Sequence, residues 1–464
     1  MNSDKNLIME NLAREAHERG VFNGIWLYAE NGTTVSKGAY GFRDAEDRLP
    51  MTEDGIFELA SVSKQFCAAA IMILVREEKL SLEDKIVKFF PELTAYPDVT
   101  VRHLLTHTGG VPDFYGQTDR APWMVETWLR EKTIAPNTIA LRFLLESGEG
   151  PRFAPGERHE YSNTGYCLLA EIAERVSGEP FEDLLKTRIF DPAGMASTSV
   201  RHIYRDGIPD DRYVRNLVLE DGKYVLPIDS KDEFEDVATD GTNGNAHVYT
   251  TVSDMLAWDR ALREGKVLTH AEQRIMYTAP RLSDGSLSGE FPDELDGYGF
   301  GWGILRDEKL GLLVNHSGGM SGLQTWFERG VDADRAFVLV NSRDCEDARA
   351  HLSFFEGMVA VTRDGEPGPI QSIEEIAAGD PDRSLWQYFC GKYECPEDTG
   401  FTVEEVFLKD GDLWATALSA EYGRISFRLY PLGGNKFGRK GGFVEIEFGD
   451  GCLTVDEVTS KKTN

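Results

Sequence analysis

The sequence predicts an α/β chain of the α+β kind: an antiparallel sheet flanked by helices, an all-α region inserted into it, and a small antiparallel β-barrel at the C-terminal end. Three observations carry this. Strand-like runs stand at both ends of the first 362 residues. Helical patterns fill the space between them. After about residue 385 the chain changes to short strands separated by Asp-Gly, Gly-Gly and Gly-Asp turns. The expected domains are 1–362, with sheet regions at about 1–75 and 250–362 and a helical region at about 76–249, then a linker over 363–384 and the barrel over 385–464.

Taken in order, Asp4 to about Gly20 has helical periodicity, with Leu7, Ile8, Leu12 and Ala13 on one stripe. The runs Gly24–Glu30 and Thr33–Tyr40 flank Asn31-Gly32, a strong hairpin signal. Ser63 to Glu78 reads as an apolar helix, and further helices are expected at Val101–His107, Thr138–Glu146 and Gly165–Val176. Asp229–Asn245 is polar, acidic and glycine-containing, and reads as an excursion loop. Ser253 opens another helix. Strand-like runs follow at Tyr298–Leu305, Leu312–Asn315, Gly322–Glu328 and Arg335–Asn341, then a helix over Asp347–Val361. In the barrel the candidate strands are Tyr388–Tyr393, Phe401–Leu408, Leu413–Leu418, Arg424–Tyr430, Phe443–Phe448 and Cys452–Val458.

The 464 residues carry 49 Lys+Arg against 79 Asp+Glu, a net charge of −30. Such a surface repels phosphate backbones and anionic lipid heads, which argues against nucleic acid and membrane as partners. No run approaches the roughly 20 apolar residues that span a bilayer, and no signal core is visible, so if residue 1 is the native start the chain is expected to stay in the cytoplasm. The six cysteines form no CxxC pair and read as free thiols.

The chemistry is concentrated in three short segments. Ser61-Val62-Ser63-Lys64 stands where a loop becomes the apolar helix, so a hydroxyl and an amine three residues apart share one face. A serine needs a base to become a nucleophile, and a lysine amine can serve once its environment favours the neutral form. Tyr161-Ser162-Asn163 offers a phenol for proton shuttling and an amide for orientation. His316-Ser317-Gly318-Gly319 ends a strand-like run, where glycines let a strand edge approach a ligand backbone. Each segment alone also has a plain structural reading: a capped helix, a turn, a tight strand end. His103 and His107 lie one turn apart but lack the Glu of a zinc-peptidase helix, so no metal is expected there. His247 stays undecided, and Tyr298, Trp302 and Trp326 read as sheet core or pocket wall.

Together, and in this order, the three segments resemble the penicillin-recognising serine hydrolases of the class C β-lactamase type, a group that includes D,D-carboxypeptidases, D-aminopeptidases and family VIII esterases. The likeness extends to Leu82-Glu83-Asp84-Lys85-Ile86-Val87, to the stretch His103–Asp113 with its Thr106-His107-Thr108-Gly109-Gly110 core, and to Phe153-Ala154-Pro155-Gly156 ahead of Tyr161. It covers about Asn23 to Val361 and not the barrel, which is expected to be lipocalin-like. The resemblance implies a serine β-lactamase-like fold and catalysis by Ser61 as the acylated nucleophile. It implies proton transfer by Lys64 and Tyr161, substrate orientation by Asn163, and an oxyanion hole from the backbone N–H groups of Ser61 and Gly319. Ser317 and Gly318 belong to the same substrate-binding edge, and no metal or organic cofactor is implied.

One residue departs from the pattern. Class C β-lactamases have lysine where this chain has His316, and an imidazole is mostly neutral at pH 7. The expected substrate is therefore a small molecule or short peptide carrying an amide or ester, as for D-amino-acid peptidases, amidases and esterases. A β-lactamase or D,D-carboxypeptidase is the alternative, and a non-catalytic binding or scaffold protein is the alternative of another class. The barrel is a candidate for shaping the cleft or for homo-oligomerisation. The loops Tyr115–Thr133 and Tyr204–Gly244 are expected to set substrate choice.

Overall fold

The computed structural model describes residues 2–44, 48–115, 123, 137–209, 211–230, 234–289, 296–377, 383–395, 401–419, 423–440, 444–455 and 458–463. Most of the expected substrate loop 115–133 lies outside the described residues. The chain divides into two compact units, Met1–Leu7 with Asn23–Asp344, and Ile8–Phe22 with Cys345–Asn464. Among the described residues no helix is long and apolar enough to cross a membrane.

The first unit is built on a seven-stranded antiparallel sheet. In spatial order its strands are Thr33–Tyr40, Gly24–Glu30, Arg335–Asn341, Leu323–Gly330, Gly311–Met320, Gly303–Asp307 and Gly297–Tyr298. Asn31 and Gly32 both take positive φ, 49° and 67°, as a two-residue hairpin turn requires. The second strand in that order, Gly24–Glu30, is buried along nearly its whole length. It pairs with Arg335–Asn341 from Gly24 opposite Asn341 to Glu30 opposite Arg335, so the sheet is closed by segments some 300 residues apart in sequence. Helix Val252–Arg263, capped by Thr251 accepting from the Asp254 N–H, packs on these two strands.

The helix Lys64–Arg76 is buried from Lys64 through Leu74, consistent with a sequence that is apolar on all sides. It packs against helix Asn163–Ser177, which starts at an N-cap Ser162 and ends at Gly178 in the left-handed region. The side chain of His103 is used locally: its Nδ1 accepts from the Thr100 N–H while Thr100 Oγ1 accepts from the His103 N–H, a reciprocal cap.

The excursion-loop expectation for Asp229–Asn245 does not hold. Helix Phe234–Ala238 opens a run in which every residue from 236 to 250 is buried, ending in the strand Val248–Thr250 paired to Phe57–Glu58 and Ser199–Val200. Asp236 and Asp240 are hydrogen-bonded inside the protein, to Ser321 and to the backbone of Tyr204 and Arg205, which composition alone does not distinguish from solvation.

The second unit contains a nine-stranded, nearly closed antiparallel barrel rather than the six strands read from sequence. The added strands are short ones: after Leu429 the strand Tyr430–Gly433, irregular between Pro431 and Gly433, turns at Gly434-Asn435 into Lys436–Gly438, and Val458–Thr463 forms a strand of its own. The interior is filled by alternate residues such as Val403, Leu413, Ala415, Phe437, Ile446 and Leu453. Phe389, from the short helix Trp386–Phe389, stacks on Phe448 at 4.4 Å.

A buried ion network ties helix Val252–Arg263 to the sheet. Arg329 Nε donates to Asp259 Oδ1 at 2.6 Å, Arg329 Nη1 donates to the Tyr277 hydroxyl at 2.7 Å, and Arg263 Nε donates to Asp259 Oδ2 at 2.8 Å. Removing one partner leaves charge buried and under-compensated. Arg329→Met is expected to lower stability by about 3 kcal/mol, read as an earlier midpoint in urea unfolding. An unchanged midpoint would show that the network is not a structural anchor.

Candidate active site

Ser61 lies on a single 3-10 turn, Ala60–Ser63, that leads directly into helix Lys64–Arg76. In a 3-10 turn residues i and i+3 eclipse, which sets Ser61 and Lys64 one above the other. The turn is entered through Ala60 at φ 47°, a left-handed conformation that costs on the order of 1–3 kcal/mol in a non-glycine residue. Flanking bonds hold it in place. The Leu59 N–H donates to Val248 O at 2.9 Å, Thr325 Oγ1 donates to Leu59 O at 2.8 Å, and the Val248 N–H donates to Ser63 Oγ at 3.2 Å. Gly301, at φ 74°, presses on the start of the helix, where a Cβ would stand 2.9 Å from the Lys64 carbonyl carbon and oxygen.

Lys64 is fully buried, and its Nζ lies within hydrogen-bond distance of three oxygens from three chain segments: Ser61 Oγ at 3.0 Å, Asn163 Oδ1 at 2.8 Å and Asn245 O at 2.9 Å. The two carbonyl oxygens can only accept, so they take N–H groups from Nζ in either charge state. The Ser61 hydroxyl both donates and accepts. It can therefore accept from an ammonium or donate to an amine without any heavy atom moving. Nζ also lies 4.8 Å from the ring centre of Tyr161 and 5.6 Å from that of Tyr166. Asn163 is the first residue of its helix and Tyr161 stands just ahead of the N-cap, so the start of one helix brings both to Lys64.

Behind these groups is a cluster of aromatic and imidazole rings. His107, at φ 54°, has ring-centre distances of 4.3 Å to Tyr161, 5.1 Å to Tyr166 and 5.0 Å to Tyr298. Its Nδ1 accepts from the Ser162 N–H at 3.1 Å, fixing the loop that carries Tyr161. His316 faces the carbonyl of Ser317 through Nδ1 and the Tyr298 hydroxyl through Nε2, the latter at 2.8 Å. A carbonyl can only accept, so Nδ1 carries the proton and Nε2 accepts from Tyr298. Burial, reinforced by the charge of Lys64, pushes the His316 imidazole down to about 3. Burial also pushes His159 down to about 4 and His107 well below its ordinary value. All three rings are neutral at physiological pH.

The third segment forms one wall. Strand Gly311–Met320 pairs with Leu323–Gly330 from Leu313 to Met320, but its ladder with Gly303–Asp307 stops at Asn315. Residues 316–320 thus present one edge that no neighbouring strand of the sheet takes, and the strand lies against the turn Ala60–Ser63. Gly318 is required by that approach, since a Cβ there would run into Leu59 O and Thr325 Oγ1. At Gly319 a Cβ would meet nothing, and Ser317 and Gly319 face open space.

Of the remaining singled-out residues, Trp302 is fully buried against Tyr277 and Phe327, which makes it sheet core, and Tyr298 is the hydroxyl partner of His316. His247 sits apart from Lys64, with Nδ1 3.0 Å from Glu58 Oε1. Sequence reasoning assigned no role to Asp113, the Asn245 carbonyl or Gly301. Asp113 was inside a motif-like stretch, whereas a backbone carbonyl leaves no mark in a sequence.

The sequence model of the β-lactamase family matches residues 9–352. A penicillin-binding protein of Bacillus subtilis (strain 168) is 30% identical over 460 residues, covering 97% of this chain and 94% of that protein. A D-aminopeptidase of Brucella anthropi is 26% identical over 340 residues, covering 68% of this chain and 58% of that protein. Among solved structures, the octameric penicillin-binding protein homologue from Pyrococcus abyssi matches with a TM-score of 0.65 at 22% identity, over 98% of this chain and 99% of that one, a likeness of fold. With a family model spanning most of its length and a 30%-identical relative covering nearly all of it, the chain belongs to the β-lactamase family of serine hydrolases.

Proposed function

We propose that this hydrolase works through a Ser61 acyl-enzyme on an amide or ester that need not present a carboxylate to His316, with D-amino-acid peptides and amides and simple esters as the preferred classes. The observation that carries the reading is the contact of Lys64 Nζ with Ser61 Oγ at 3.0 Å, backed by two carbonyl acceptors. Lys64 as the amine takes the Ser61 proton while Oγ bonds to the substrate carbonyl carbon. The oxyanion is held by the N–H groups of Ser61 and Gly319, and Asn163 orients the scissile group. The proton passes by way of Lys64 and Tyr161 to the leaving amine or alcohol, whose bond to carbon breaks. Water then attacks the acyl-serine with the same groups acting in reverse.

The independence from a substrate carboxylate rests on His316. A lysine at that position would offer a permanent charge to a substrate carboxylate, whereas a buried neutral imidazole offers none. The D-aminopeptidase relative supports the peptide and amide class. The name of the Bacillus subtilis relative favours a second reading, in which penicillin acylates Ser61 and is released slowly. The Pyrococcus abyssi homologue, described as octameric, supports self-association.

Ser61→Ala is expected to cut turnover of a p-nitrophenyl ester at least about 1,000-fold and to abolish the mass shift from a fluorophosphonate probe. Retained turnover would end the assignment. A fluorescent penicillin that labels the wild type and not this variant would support the second reading. His316 has its folded value pushed below that of a free imidazole, so as pH falls through about 6.5 it stays neutral and gains a proton only near 3. Nitrogen-15 NMR is expected to show one protonated nitrogen, Nδ1, from pH 8 to pH 5. Correspondingly, kcat/KM for nitrocefin, a carboxylate, is expected to fall at least about tenfold below that for a neutral ester. A cationic His316 at pH 6, or nitrocefin as the better substrate, would refute the reading that no substrate carboxylate is required. Light scattering is expected to return a multiple of the chain mass, and a monomer mass at micromolar concentration would refute self-association.

A further inference from the structure

Asp113 sits directly behind Asn163, the residue whose side chain meets Lys64. Its Oδ2 accepts from Asn163 Nδ2 at 2.9 Å, and its Oδ1 accepts from the backbone N–H groups of Thr164 and Tyr115, both at 3.3 Å. Asn163 Oδ1, at the other end of the same amide, accepts from Lys64 Nζ at 2.8 Å. An asparagine amide is nearly symmetric in shape. Turning it over exchanges oxygen and NH2 with little steric change, so its orientation is decided by its hydrogen-bond partners. Turned over, Asn163 would aim N–H donors at Lys64, which is donor-only when charged.

We propose that Asp113 is a positioning residue: its carboxylate, an acceptor only, holds Asn163 Nδ2 and so keeps Asn163 Oδ1 on Lys64, in line for proton exchange with Ser61. The chain around it fits that task. Burial pushes the Asp113 carboxyl up from its usual range, but the N–H donors aimed at it and the charge of Lys64 pull in the opposite direction, and those donors are satisfied only by an acceptor. Pro112 and Phe114 on either side are buried, and the Phe114 N–H donates to Thr164 Oγ1 at 2.9 Å, so the segment carrying Asp113 is fastened to the same helix start as Asn163. The proposal rests on the Ser61–Lys64 reading and adds a residue to it.

A simple helix-capping role for Asp113 predicts different behaviour. Asp113→Asn keeps the shape and keeps one acceptor oxygen. With that oxygen turned to the two backbone N–H groups, its own NH2 faces Asn163 and forces the Asn163 amide over. The variant is therefore expected to fold like the wild type yet lose about 10- to 100-fold in kcat on a p-nitrophenyl ester, with KM changed less than about threefold. In an Asn163→Ala background the same substitution is expected to have no further effect on kcat, because it acts through the side chain already removed. Equal fold losses in both backgrounds would overturn the proposal, as would an Asp113→Asn variant with wild-type kcat. The NH2 signals of Asn163 in nitrogen-15 NMR give a readout that needs no turnover and no variant. In the wild type, one proton is expected downfield and slow to exchange. Fast exchange like that of a solvent-facing asparagine would overturn the proposal. If Ser61-dependent turnover were missing altogether, the acyl-enzyme reading would fail while the amide signals still decided whether Asp113 orients Asn163.

Discussion

The constraint on which the rest of the first unit depends is the burial of the Lys64 amine. A charged group removed from water is costly unless polar partners replace the solvent, and here the partners come from residues 61, 163 and 245. Only one is a sequence neighbour. To supply the other two, the fold brings the start of helix Asn163–Ser177 and the buried run 236–250 to within 3 Å of one nitrogen. Two glycines let backbone come nearer to the nucleophile segment than a side chain would allow: Gly301 against the Lys64 carbonyl and Gly318 against Leu59 O.

The electrostatic setting is as selective as the geometry. Two histidines, His107 and His316, feel the charge of the lysine, a third, His159, packs against His107 and Tyr298, and burial keeps all three uncharged. Charging His107 or His316 would place a second cation near Nζ in a region of low dielectric. As neutral rings they can do other work. His107 Nδ1 accepts from the Ser162 N–H ahead of Asn163, and His316 Nε2 accepts a hydrogen bond from the Tyr298 hydroxyl, so imidazole nitrogens serve as fixed acceptors.

Much of this was legible in the sequence because it rests on local rules. Asn31-Gly32 between two apolar runs specified a hairpin, the unbroken apolar stretch after Ser63 specified a buried helix, and Ser61 with Lys64 specified a shared face. The order of the three motif-like segments was enough to bring Ser61, Tyr161, Asn163 and His316 into one hypothesis, and the structure gathers their side chains around Lys64. The hidden parts were non-local. The run 236–250 has the composition of a surface loop but is buried, with Asp236, Asp240 and Asn245 bonded to residues far away in sequence. The Asn245 carbonyl is backbone, and every residue has one. The barrel's extra strands are three to six residues long, too short for a period-of-two pattern to rise above its neighbours.

The pairing of Gly24–Glu30 with Arg335–Asn341 also has a consequence in time. A ribosome adding about 5–20 residues per second needs roughly 15–60 s to go from Glu30 to Arg335. During that interval the hairpin with Thr33–Tyr40 can form, but the other edge of an almost wholly apolar strand has no native partner. Such an edge is a template for pairing with other nascent chains. The unit that holds the active site is therefore most vulnerable while it is being made. The order of synthesis thus leaves Gly24–Glu30 waiting, half paired, for the strand that completes the centre of its sheet.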